Sequence, residues 1–113
     1  MKFKNLFIDD VQAELEEQEI LLLTSHANLF RDVAIGGELS LTSRRLIFKP
    51  HIFNFDRREE KINIDEIRGV RKVKTFSIID TSICVTTDDF NEFKFVLGSE
   101  RDKWFDILTS KID

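Results

Sequence analysis

The sequence predicts a mainly β fold with some helix: about seven antiparallel strands curled into a small barrel or sandwich, closed by a C-terminal helix. Three observations predict it. From Ile20 to Leu97 the chain is a series of short runs rich in Ile, Val, Thr and Phe, broken by polar or glycine-containing turns. Within those runs apolar and polar residues alternate with the period of two that a half-buried strand requires. After Ser99 the period changes to that of a helix, with Trp104, Ile107, Leu108 and Lys111 at i, i+3, i+4 and i+7.

The elements follow in order. Ile8, Val11 and Leu15 recur at helical spacing, so residues 8–19 read as a short helix with Asp9 or Asp10 at its start. Glu16, Glu17 and Glu19 crowd its C-terminal end, where the helix dipole disfavours them, so the helix is marginal. Gly36-Gly37 opens a strand with Leu39 and Leu41 on one face and Glu38, Ser40 and Thr42 on the other. A turn at Ser43-Arg44 returns the chain, with Leu46 and Phe48 inward and Arg45, Ile47 and Lys49 outward.

Ile62 and Ile64 alternate with Lys61, Asn63 and Asp65, and Gly69 to Thr75 forms a basic strand. Ile83 and Val85 alternate with Cys84 and Thr86. A turn at Asp88-Asp89 leads to Phe93, Phe95 and Leu97, with Glu92 and Lys94 outside. Ser99 is placed to cap the last helix, with Asp102 in a capping-box position. A barrel of seven strands has an open end, and one amphipathic helix is the right size to plug it.

Length and composition limit the function. The 113 residues suit one domain, divided as an N-terminal helical extension (1–19), a β-barrel (20–98) and a capping helix (99–112). Apolar residues at 42% and charged residues at 34% describe a globular chain rather than a disordered one. The longest apolar run, Ile20 to Leu23, is far short of the roughly 20 residues of a membrane span. The N-terminus lacks the apolar centre of a secretion signal, and the lone Cys84 allows no internal disulfide, so a cytoplasmic location is expected.

The net charge of −4 is unevenly spread. Residues 1–43 carry three Lys/Arg against eight Asp/Glu, residues 44–74 ten against five, and residues 75–113 four against eight. A basic middle third thus lies between acidic flanks, and it draws anions locally. No nucleic-acid motif accompanies it, and nucleic acid is not an expected partner. Catalytic and metal signals are thin. His26 and His51 lack any ligand spacing, Cys84 sits inside a strand, and Gly36-Gly37 has no phosphate-loop context. No cofactor, metal or catalytic residue is expected.

Taken together, Gly37-Glu38-Leu39-Ser40-Leu41-Thr42-Ser43 with Leu46-Ile47-Phe48, then Ile62-Asn63-Ile64-Asp65-Glu66-Ile67, Lys72-Val73-Lys74-Thr75, Ile83-Cys84-Val85-Thr86-Thr87, Phe93-Lys94-Phe95 and Arg101-Asp102-Lys103-Trp104 resemble a GRAM domain. The likeness rests on order and spacing rather than on any one motif, and covers roughly residues 20–112. It implies a split barrel of the pleckstrin-homology (PH) type and a non-enzymatic module that binds membrane lipids or proteins.

Under that resemblance the loop after the third strand, about residues 50–60, lies at one rim of the barrel. The candidate lipid-binding residues are Arg44, Arg45, Lys49, His51, Phe53, Phe55, Arg57, Arg58, Lys72 and Lys74. Phe53 and Phe55 would enter a bilayer interface while Arg57 and Arg58 meet anionic headgroups. The competing reading has both rings capping the barrel edge and the arginines merely solvated. Lys72 and Lys74 share one strand face and form either a phosphate clamp or a solvated exterior. Each cation near an anionic surface contributes about 1 kcal/mol, so four give about 4 kcal/mol, a millimolar affinity. Asp32 and Asp88-Asp89, in the other two loops of the family's lipid-facing rim, would repel phosphate.

The alternative function is a protein-interaction or self-assembly module using an exposed strand edge or the 50–60 loop. The expected partners are therefore anionic lipid headgroups or a protein, with a homo-oligomer open. The lipid reading places the protein peripherally on a membrane.

Overall fold

In the computed structural model, which describes residues 11–112, the alternating runs form seven strands: β1 (Leu21–Phe30), β2 (Ala34–Thr42), β3 (Arg45–Pro50), β4 (Glu60–Asn63), β5 (Ile67–Thr75), β6 (Ile79–Thr87) and β7 (Glu92–Val96). All pair antiparallel in one sheet of order β4-β3-β2-β1-β7-β6-β5. Among the described residues, the edge strands β4 and β5 are not hydrogen-bonded to each other. The barrel is therefore split rather than closed.

Its curl shows in one contact. The Phe48 and Phe95 rings lie 5.9 Å apart, although β3 and β7 are separated in the sheet by β2 and β1. They meet through the interior. Leu39, Phe48, Ile83, Val85 and Phe95 line that interior with no exposed surface. Shifts in pairing between Leu21 and Leu23, Ile67 and Gly69, and Val73 and Thr75 bend the strands that must turn most.

The C-terminal helix, Arg101–Ile112, closes the open end by burying Trp104 and Leu108 completely in the same cluster. Ser99 does not cap it. A 3₁₀ turn over Gly98–Glu100 leads into the helix instead, entered through Gly98 at φ +61°, a conformation that glycine adopts without a side-chain clash. Asp102 accepts from Arg101 Nε at 2.8 Å and pairs with Lys72 at 3.1 Å rather than reaching back as a box partner.

Two further expectations change. Of the expected helix 8–19, residues 8–10 lie outside the described residues, while 11–14 are helical and 15–19 are not. Its end is a turn with Gln18 at φ 67°, and the Glu19 side chain caps Glu16 N at 2.9 Å. Ile64 packs against the core, as its alternation predicts, but from a 3₁₀ turn over Ile64–Glu66 rather than from a strand.

A further change concerns β3. Arg45, Ile47 and Lys49 lie on the face opposite Leu46 and Phe48, yet Ile47 and Lys49 are buried. Glu14 reaches across that outer face. Glu14 pairs with Lys49 at 2.5 Å and with Lys61 at 3.2 Å, and its carbonyl accepts from Arg45 Nη2 at 3.2 Å. Alternation shows which face a residue takes, but not whether another segment lies over it.

Candidate functional site

The ten candidate residues do not form one surface. Arg45 begins β3, with Arg44 just before it, and His51 follows its end, a separation of about 20 Å at the rise of an extended strand. Lys72 and Lys74 sit on β5, at the far edge of the sheet order.

Two of the ten are structural ties. The Arg45 guanidinium grips both oxygens of Glu19, Nη2 to Oε1 at 2.7 Å and Nε to Oε2 at 2.9 Å, with the Glu19 side chain wholly buried. Thr42 Oγ1 also donates to that carboxylate, at 2.5 Å. Chiefly through the Arg45 hydrogen bonds, which outweigh burial, the Glu19 pKa falls from 4.5 to about 2. Lys49 is held between Glu14 and Glu59, at 2.5 and 3.2 Å. Burial opposes its charge, but the hydrogen bonds to those two carboxylates prevail and its pKa lies above the ordinary lysine value. Neither cation faces an external anion.

Others are exposed but engaged. Lys72 pairs with Asp102 and lies 5.0 Å over the Phe105 ring, and Lys74 is 3.9 Å from Asp80. His51 stacks on His26, with ring centroids 5.4 Å apart. Arg44 is exposed beside Ser43 in the β2–β3 turn. Cys84 is buried on the outer face of β6, and burial pushes its thiol pKa up, which suits a strand residue rather than a nucleophile. No three His, Cys, Asp or Glu side chains among the described residues gather as a metal site.

The loop 51–59 between β3 and β4 has an inverted arrangement. Asn54 and Asp56 are turned toward the protein, while Arg57, Arg58 and Glu59 are exposed. His51 N donates to Gly36 O at 2.9 Å, and Asn54 Nδ2 donates to Gly36 O and His51 O at 2.8 and 3.1 Å. Asp56 pairs with Arg31 at 3.1 Å and accepts from Arg58 Nη2 at 2.7 Å. The hydrogen bonds from Arg58 hold the Asp56 carboxyl far below the usual carboxylate range. The apolar residues face water: Ile52 is 63% exposed, Phe53 93%, and Phe55 fully. The rings do not cap the barrel.

Arg31, which the sequence did not single out, organises this rim. Its guanidinium joins Asp56, the Arg58 carbonyl at 3.0 Å and Glu60 at 2.8 Å, so the end of β1 clamps the loop's return to β4. A groove of about 390 Å³ beside it is lined by Arg58, Glu60, Asn91 and Glu92. Its mixed charge makes a poor phosphate pocket. The only legible signal for Arg31 was its place next to the β1–β2 turn, and its acidic partners lie 25 and 29 residues away.

Seven antiparallel strands rolled around one core and stoppered by a single helix define a PH-like module, a class that generally binds lipids or proteins rather than catalyses. Solved structures share that fold. The C-terminal domain of an unknown protein from Leishmania infantum matches at TM-score 0.78 and 20% identity, covering 98% of each chain. The Vps36 N-terminal PH domain matches at TM-score 0.68 and 14% identity, over 87% of this chain and 82% of that one. The Slm1 PH domain matches at TM-score 0.64 and 12% identity, over 82% and 98%. At such identities the likeness is one of fold alone. No curated protein matches the sequence. The chain belongs to the GRAM domain family, whose model matches residues 2–113.

Proposed function

We propose that this domain is a non-enzymatic module that associates peripherally with anionic membrane surfaces, entering the interface with Phe53 and Phe55 of the 51–59 loop. The observation that carries this reading is the loop's inverted polarity. Asn54 and Asp56 are turned inward and tied down, while Ile52, Phe53 and Phe55 stand in water. A loop serving only as a connection would place them the other way round. Convex apolar tips of this kind suit a fluid interface, which closes around them, better than a rigid partner that needs a matching pocket.

Magnitudes shift the emphasis away from charge. Burying a Phe or Ile side chain contributes roughly 2 kcal/mol, so three give about 6 kcal/mol, against about 1 kcal/mol for each cation near an anionic surface. Arg45, Lys49 and Lys72 are already paired within the chain. Apolar insertion dominates, and Arg57 adds a preference for anionic lipid. An affinity in the tens of micromolar follows.

Co-sedimentation with vesicles of phosphatidylcholine, with and without 30% phosphatidylserine, tests the reading. The wild-type chain is expected to sediment with both and better with the anionic vesicles, and Phe53→Ser plus Phe55→Ser to weaken binding at least about tenfold. A wild-type chain that ignores both vesicles, or a double variant that binds as well as wild type, overturns it. A stable dimer in light scattering, with vesicles ignored, would favour the protein-interaction alternative.

A further inference from the structure

The turn between β5 and β6 carries two large apolar residues, Phe76 and Ile78, that turns avoid. Phe76 and Ser77 both lie in the left-handed region, at φ 52° and 67°, where glycine or asparagine is the ordinary choice and a bulky side chain is strained. The reversal is tight, with Ile78 N donating to Thr75 O at 3.2 Å. Asn-Gly would make such a turn without strain. Yet Phe76 is 71% exposed and Ile78 75%, so the core does not demand them either.

The position of this turn relates it to the loop already described. The Phe76 ring meets Phe30 edge-on at 5.9 Å. Phe30 immediately precedes Arg31, which clamps the 51–59 loop through Asp56 and the Arg58 carbonyl. The end of β1 thus has one exposed apolar tip on either side. Cations stand at the base of the second tip. Lys94 Nζ lies 5.2 Å from the Phe30 ring centroid and donates to Lys74 O at 3.1 Å, while the Lys74 side chain is more than half exposed. Asp80, 3.9 Å from Lys74, is the acid within reach. Two lysines against one carboxylate favour an anionic surface.

We infer that the 76–78 turn is a second point of entry into the same bilayer, with Phe76 and Ile78 as the inserting side chains and Lys74 and Lys94 at the headgroup level. This rests on the lipid reading above and extends it. One tip would leave the domain free to swing about its contact. Two tips flanking β1 fix its orientation on the membrane and roughly double the apolar area that enters. The occupant is a bilayer interface rather than a protein groove, because the tips are separate convex points with basic residues behind them.

The test uses the full chain and the anionic vesicles above. Phe76→Ser plus Ile78→Ser is expected to weaken partition at least about tenfold, and to add to Phe53→Ser plus Phe55→Ser. Circular dichroism and the melting temperature establish that each variant folds. In a second measurement, Phe76→Trp gains a fluorophore at the tip, and vesicles with bromine-labelled acyl chains are expected to quench it, whereas Trp104 in the wild type stays unquenched because it is buried. If the 76–78 double variant binds as wild type, or if vesicle-bound Phe76→Trp escapes quenching, the second entry point is refuted while the 51–59 reading stands. If wild type binds no vesicle, both fall.

Discussion

The indole Nε1 of Trp104 donates to Ser25 Oγ at 2.6 Å, joining the closing helix to the first strand across 79 residues of chain. Around it the ring is fully buried in the barrel's cluster. Trp104→Ala is expected to cost about 3–5 kcal/mol and Ser25→Ala about 1–2 kcal/mol, because the buried N–H loses its partner. Urea unfolding followed by circular dichroism measures both. A Trp104→Ala variant no less stable than a surface control would mean that the helix is not part of the core.

The pairing of Glu19 with Arg45 gives stability a pH dependence. The folded pKa of Glu19 is depressed from 4.5 to about 2, so its contribution is complete above about pH 4.5 and is lost as pH falls toward 2. That contribution is on the order of 3 kcal/mol. Glu19→Gln should be less stable at neutral pH and should lose less between pH 5 and pH 2 than wild type. Parallel stability curves for the two proteins across that range would contradict the assignment.

Gly37 of β2 lies opposite Pro50 of β3, with no room for a side chain. A Cβ there would sit 2.3 Å from the Lys49 carbonyl oxygen and 2.9 Å from Pro50 Cα, both backbone atoms. Gly37→Ala is therefore expected to cost about 3 kcal/mol, whereas Gly69→Ala, which meets nothing within 4 Å, should cost far less. Equal melting temperatures for the two variants would count against this strand register.

Arg31 holds the 51–59 loop without contacting the proposed membrane face. Arg31→Met should leave the global melting transition near wild type but raise exchange of the His51 amide about tenfold or more, as the loop's local opening becomes easier. Unchanged exchange would show that Asn54 and the β3–β4 pairing hold the loop alone.

Salt provides a separate check on the balance of forces. Raising ionic strength from about 0.05 to 0.5 M shortens the screening length several-fold, so an interaction dominated by cations would nearly vanish. Insertion through Phe53 and Phe55 predicts only a few-fold loss of vesicle binding. Loss of nearly all binding would restore charge as the main term.

Much of the fold was legible because alternation is a local property. Leu39 and Leu41, Leu46 and Phe48, Ile83 and Val85, and Phe95 announce their inward face within three or four residues of chain, and Trp104 with Leu108 announces the helix that meets them. The site was legible only in part. Phe53 and Phe55 stood out as aromatic residues among charges, but Phe76 and Ile78 fell between the periodic runs and drew no assignment. The ten candidate residues also looked like a single basic surface.

The sequence by itself determined the succession of strands along the chain, most of the inward faces and the closing helix, since short-range periodicity encodes which side of each element is apolar. Only the tertiary structure decided which charges were free, because Glu14 and Glu19 reach Arg45 and Lys49 from about 30 residues away in the chain. Folding neutralised those cations and left the phenylalanines of the 51–59 loop in water. Ion pairing depends on what is brought near, and nearness across a barrel is not written in the spacing of one strand.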